Sequence, residues 1–126
     1  MLEAHMNAYL QRIRDQIERV GWAVPVIVGE NSTYAYTVGL TSQGLPEIFC
    51  DGLDQQTSAG VLNHLAQRQI EKGAFGAGTR LYVDGRHVLL EALPSLASLV
   101  LVRRLFEFAV PAPRALRATI VGADTE

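Results

Sequence analysis

The spacing of apolar residues predicts three helices. Near the N-terminus they recur at steps of three and four, which places them on one stripe of an amphipathic helix that stops at Gly21. A second helix over 54–73 has Asp54, Thr57 or Ser58 as its cap and Gly73 at its end. The stretch "SLASLVLVRRLFEF" is ambiguous, because its residues favour a strand individually, but its apolar spacing also fits a helix, and we interpret it as one. The first stripe consists of Met6, Leu10, Ile13, Ile17 and Val20.

Runs of β-branched and aromatic residues between turn signals predict six strands. The first two flank "GENST" as a hairpin, and Pro25 places the first at an edge or a bulge, because proline cannot donate to a β-ladder. Asp84-Gly85 is the strongest signal for a tight hairpin. The predicted strands lie in "WAVPVIVG", "TYAYTVGL", "EIFCDGL", the two halves of "RLYVDGRHVLLEAL", and "ALRATIV".

The order of these elements predicts an α+β fold. Helices and hairpins alternate as α-β-β-β-α-β-β-α-β, which favours a single domain with a largely antiparallel twisted sheet of about five to six strands and three helices. A chain of 126 residues is near the usual size of one domain. We assign residues 1–21 to the N-terminal helix, 22–122 to the sheet and two further helices, and 123–126 to a polar tail.

Composition, charge and the length of apolar runs predict which partners and which cellular location to expect. The chain is 48% hydrophobic with a formal net charge of -2, and its densest basic cluster is interleaved with apolar residues, so we expect no nucleic-acid partner. The longest apolar run, "LASLVLV", is far below the ~20 residues that span a bilayer, so we expect no membrane association. The N-terminus lacks the apolar core of a signal peptide, and the single Cys50 suits a reducing compartment, which together predict a cytoplasmic protein. The basic cluster comprises Arg103, Arg104, Arg114 and Arg117.

Titratable residues form no complete catalytic or metal-binding pattern. The histidines lie on three different predicted elements without ligand spacing, so we expect no metal or cofactor. Cys50, His64 and Asp51 could form a nucleophilic cluster, although a cysteine after two apolar residues is typical of a buried hydrophobe. Glu47 and Asp51 bracket one strand about 13 Å apart at ~3.3 Å per residue, so either could only be a lone general base. The histidines are His5, His64 and His87.

The segment "YAYTVGL" has one large and one small side. In an extended strand Tyr34, Tyr36 and Val38 point one way, and the smaller Ala35, Thr37 and Gly39 point the other. A small, hydroxyl-bearing face admits close approach by a helix or by a ligand. Both alternatives remain open at the level of sequence.

Several motifs, in order along about half of the chain, resemble one domain family. They are Gly21-Trp22, the block Tyr34 to Leu40, Gly44 with Pro46-Glu47, Gly52-Leu53, Leu62-Asn63 and Gly73. The stretch is similar to a bacterial family catalogued as a domain of unknown function, numbered 4262 (DUF4262). The resemblance implies a fold but no activity. Relatives usually end in a Gly-x-x-Pro-Trp-type tail, whereas this chain reads "ATIVGADTE". If that tail closes a pocket in relatives, we expect this protein to have lost the lid or to recruit one from a partner.

Three functions are consistent with these patterns. The first is a non-catalytic module that binds a small ligand or a protein in a cleft between the Tyr34–Leu40 strand and the 54–73 helix. The second is a small-molecule enzyme with acid-base chemistry at Glu47, Asp51 or His64 and possibly Cys50 as nucleophile. The third is a homodimer through exposed apolar residues of the third helix, Leu101 and Phe108. The ligand-binding residues predicted for the first function are Tyr36, Thr37, Gly39, Glu47 and Asn63.

Overall fold

The computed structural model describes residues 2–30 and 32–123, and it confirms the α+β prediction with three helices and six strands. The polar tail beyond Ala123 lies outside the described residues. The elements are α1 (Leu2–Val20), β1 (Val26–Val28), β2 (Thr33–Tyr36), a 3-10 turn (Leu40–Gln43), β3 (Glu47–Asp51), α2 (Gln55–Lys72), β4 (Arg80–Val83), β5 (Arg86–Ala92), α3 (Val100–Leu105) and β6 (Ala115–Ala123).

The six strands form one mixed sheet in the order β1-β2-β3-β6-β5-β4. Only β3 and β6 pair in parallel, so the sheet is largely antiparallel as expected. The strand that follows Pro25 is an edge strand, as proline's missing N–H predicts. Asp84 and Gly85 both have positive φ, the backbone that a two-residue hairpin turn requires.

Helices cover both faces of the sheet, and the sidedness of β2 decides which helix lies where. Ala35 packs with Val61 and Leu62 of α2 in one buried cluster. Tyr36 and Val38 belong to a second buried cluster, with residues of α1 and α3. The predicted large side is therefore confirmed, and α2 lies against Ala35 on the predicted small side. Gly39, predicted on the same small side, instead lies beside Ile17 of α1.

The third helix is shorter than the sequence pattern indicated. It begins at Val100, because the preceding residues form a turn in which the Ser95 hydroxyl accepts a hydrogen bond from the Ala97 amide, in competition with helical bonding. The expectation that Leu101 is exposed is wrong, since only 5% of it is accessible within the α1–α3 cluster. Phe108 is 89% exposed as expected, but it lies beyond the end of α3.

Candidate functional site

Glu47, at the start of β3, is the one charged side chain that is buried among the residues whose burial the structure describes. Its Oε1 accepts hydrogen bonds from Thr37 Oγ1 at 2.8 Å and from the Leu40 amide at 3.2 Å. Its Oε2 accepts from the Gly39 amide at 3.1 Å, and from the amide and hydroxyl of Thr41 at 2.9 and 2.6 Å. Five donors therefore surround a side chain that has no solvent exposure.

The local backbone explains why these donors converge. Gly39, Leu40 and Thr41 form the beginning of the 3-10 turn, where amides have no intrahelical acceptor. The Thr37 hydroxyl also accepts a hydrogen bond from the Ile48 amide at 2.9 Å, so it links β3 to the end of β2. Glu47 consequently anchors the segment 37–41 to the sheet, and both of its oxygens are occupied by the protein itself.

Burial and hydrogen bonding act on Glu47 in opposite directions. Burial raises the pKa of this carboxyl above its ordinary value of 4.5, and the bonds from Thr41, Thr37 and Gly39 offset only part of that rise. Proton uptake is accommodated here because the Thr41 hydroxyl, 2.6 Å away, can turn from donor to acceptor.

The native chain is expected to have a higher free energy of unfolding than Glu47→Gln, and the difference is expected to be larger below pH 4.5 than at neutral pH. Because the pKa is raised on folding, the folded chain holds this proton more tightly than the unfolded chain does. That contribution is complete below the unfolded-state pKa and is lost as pH rises through the folded-state pKa. Glutamine does not titrate, so urea unfolding of both proteins over a pH series isolates the effect; a difference that grows with pH would contradict it.

The remaining predicted ligand-binding residues lie apart from this cluster. Thr37, Gly39 and Glu47 meet, whereas the Tyr36 hydroxyl accepts from the Leu101 amide at 3.2 Å on the α3 side of the sheet. Asn63 lies on α2, where its Oδ1 accepts from the Trp22 indole at 2.8 Å. The five predicted residues do not meet around one cleft, and α2 fills the space beside Ala35. Ligand binding by these five residues stays a prediction.

Replacing Tyr36 by phenylalanine is expected to lower the free energy of unfolding by about 1 to 2 kcal/mol, because the buried Leu101 amide in the first turn of α3 loses its acceptor. Tyr34→Phe is the matched control, since the Tyr34 hydroxyl has no hydrogen bond within the described residues. Urea unfolding followed by fluorescence of the single Trp22 measures both. Equal losses in the two variants would contradict a role of this bond in holding α3.

The other candidate catalytic residues, Cys50, Asp51 and His64, differ in burial and in their partners. Cys50 is fully buried in the cluster under α2, and burial raises the pKa of its thiol to about 11, so almost no thiolate exists at neutral pH. Asp51 is exposed and pairs with Arg117 at 2.9 Å. His64 is partly buried, and its Nε2 has no hydrogen-bond partner within the described residues. These placements give the nucleophilic cluster no support.

A surface groove beside α3 was not anticipated from the sequence. Its volume is about 490 Å³, and we call it the α3 groove. The guanidinium groups of Arg103 and Arg104 edge it, and within the described residues neither forms an ion pair. The signal was present in "VRRLFEF", but adjacent letters do not show which side chains share a groove. The groove is lined by Val100, Arg103, Arg104, Phe106, Glu107 and Pro113.

The comparisons with known proteins identify a family but no activity. The family model described as "Domain of unknown function (DUF4262)" matches residues 16–110. No curated protein and no solved structure matches the chain. The described residues contain no group of three or more His, Cys, Asp or Glu side chains placed to hold a metal ion. Within residues 2–30 and 32–123, no helix has the length and apolar character needed to cross a membrane.

Proposed function

Because the chain belongs to the DUF4262 family of domains of unknown function, whose description names no activity, we propose its function from its surface: a non-catalytic binding module that takes an anionic ligand with an apolar part in the α3 groove. The proposal keeps the binding role expected from the sequence and moves its location. The cleft expected between β2 and α2 is instead packed with apolar side chains, whereas the α3 groove is open to solvent.

The observation that carries the proposal is an apolar lining edged by two cations that form no ion pair within the described residues, although Arg103 donates a hydrogen bond to the Ala97 carbonyl at 3.4 Å. Val100, Phe106 and Pro113 supply apolar surface, and Arg103 and Arg104 supply guanidinium groups without a carboxylate partner in the described residues. Guanidinium groups bind carboxylates and phosphates in a forked geometry, and apolar surface binds the rest of such a ligand. A carboxylate-bearing or sulfonate-bearing apolar molecule therefore matches the groove.

The same geometry explains why a binding module is favoured over an enzyme. The Glu47 carboxylate is enclosed by five protein donors, and the Cys50 thiol is buried and protonated, so neither is within reach of a substrate in the α3 groove. A cytoplasmic location, a bacterial source and a homodimer stay predictions, together with the use of Asp51 or His64 in catalysis.

The test uses 1-anilinonaphthalene-8-sulfonate, an apolar anion whose fluorescence rises on binding. We expect saturable binding to the native chain, and an approximately tenfold weaker Kd for Arg103→Ala/Arg104→Ala, since the loss of about 1.4 kcal/mol corresponds to that factor. Arg68→Ala is the control, because Arg68 is exposed on α2, across the sheet from α3. Trp22 fluorescence confirms that each variant is folded. Equal affinities for the native chain and the double variant would overturn the proposal.

A further inference from the structure

A second groove adjoins the α3 groove at Pro113. The second has a volume of about 430 Å³, and Pro113 lines both. Pro94, Leu96 and Arg114 contribute to the second groove, beside the N-terminal ends of β3 and β6. We call the two together the extended groove. Each half has the volume of a small-ligand site, and an occupant that fills both would pass Pro113.

The segment between α3 and β6 presents unusually exposed apolar side chains next to this groove. Phe108 is 89% exposed and Val110 is 95% exposed, and both lie in the stretch 106–113 that supplies lining residues to the α3 groove. Single exposed apolar residues need no explanation, but an aromatic and a β-branched residue this exposed, within the segment that supplies lining residues to the groove, indicate an interaction surface.

The charges of the extended groove indicate the chemistry of the occupant. Arg103, Arg104 and Arg114 edge it, and none has an ion-pair partner within the described residues. Against these three arginines, the lining side chains include one carboxylate, that of Glu107. Cationic groups therefore predominate in the groove, although the whole chain carries a formal charge of -2. Complementary potentials across interfaces favour an acidic partner.

We propose that the extended groove binds an acidic segment of a partner protein, whose carboxylates meet the three arginines and whose apolar side chains contact Phe108, Val110 and the groove lining. This inference rests on the proposed function, because it names the class of ligand that enters the α3 groove. The concave shape suits a polypeptide segment better than a flat lipid surface.

The experiment compares three fluorescein-labelled peptides of 12 residues by fluorescence anisotropy. The first alternates Asp or Glu with Phe or Leu; the second has Lys in place of every acid; the third has Ser in place of every apolar residue. We expect the first to bind, at least tenfold more tightly than either of the others, with an affinity that falls as salt rises. Equal binding of the acidic and basic peptides, or no binding of the first, would overturn the inference.

Variants locate the peptide on the surface. Arg104→Ala/Arg114→Ala and Phe108→Ser/Val110→Ser are each expected to weaken binding of the first peptide at least fivefold, and Arg68→Ala to leave it unchanged. Phe108 and Val110 are almost fully exposed, so their replacement leaves the core intact. Unchanged affinity in both double variants would place the peptide elsewhere and refute the inference.

Two further measurements separate the other occupants. Cosedimentation with phosphatidylserine-containing vesicles that depends on Phe108 and Val110, without peptide binding, would overturn the inference in favour of a lipid surface. A concentration-dependent dimer in sedimentation velocity, abolished by Phe108→Ser/Val110→Ser, would overturn it in favour of a second copy. If the anilinonaphthalene sulfonate still binds through Arg103 and Arg104 while no peptide binds, the proposed function stands and only this inference fails.

Discussion

Replacing Glu47 by glutamine is expected to lower the free energy of unfolding by about 2 to 4 kcal/mol at neutral pH, although the side chain keeps its size. In either orientation the amide group turns its N–H atoms toward at least one backbone amide of the turn. With nitrogen in place of Oε1, the Leu40 amide loses its acceptor; with nitrogen in place of Oε2, the amides of Gly39 and Thr41 lose theirs. A buried donor without an acceptor retains its full desolvation cost.

The matched control for this substitution is Glu91→Gln, the same chemical change at an exposed position of β5. It is expected to alter stability by less than about 0.5 kcal/mol. Urea unfolding followed by Trp22 fluorescence measures both variants under one set of conditions. Losses of similar size at the two positions would show that the buried network around Glu47 is not what stabilises the segment 37–41.

Replacing Gly39 by alanine is expected to lower the free energy of unfolding by about 3 kcal/mol, from backbone strain and steric overlap together. Gly39 has φ of 124°, a conformation that residues with a Cβ rarely adopt. A Cβ there would lie 2.9 Å from the Gly21 carbonyl oxygen and 3.1 Å from two carbons of Ile17. The displaced backbone would also move the Gly39 amide away from Glu47, to which it donates.

Gly60→Ala provides a control with the opposite expected sign. Gly60 lies within α2, and a Cβ at this position meets no atom within 4 Å. Alanine has the higher helix propensity, so this variant is expected to gain about 0.5 to 1 kcal/mol. Thermal unfolding of both variants measures the contrast. An unaffected Gly39→Ala protein would mean that α1 can shift away from the 3-10 turn at little cost.

The fold was predictable wherever a local rule determined the structure. The Asp84-Gly85 turn requires positive φ at both residues, and that requirement alone placed the β4–β5 hairpin. Asp54 caps α2 by accepting from the Thr57 amide at 2.8 Å, as the residue types at the helix start indicated. The extent of α3 was not predictable in this way, because apolar residues fit a strand or a helix equally well over so short a run.

The candidate site was harder to predict because its contacts join distant parts of the chain. Glu47 was predicted as a candidate base and ligand-binding residue, and only the folded chain shows that its carboxylate accepts hydrogen bonds from the turn 39–41. The α3 groove combines one helix with residues up to Pro113, whereas in the sequence its arginines are only part of a basic cluster interleaved with apolar residues. Sequence separation does not reveal which cations lack an acidic neighbour.

The sequence by itself determined the α+β class, an edge or a bulge for the strand beside Pro25, and the two-sided character of β2, because each follows from backbone geometry or from periodicity within one element. Only the tertiary structure decided what lies against those two sides. It placed α2 against Ala35 and α3 on the other side, enclosed Glu47 among five donors, and left Arg103, Arg104 and Arg114 without an ion pair among the described residues. Packing between elements depends on the shape and charge of both partners, and one strand or helix carries only half of that information.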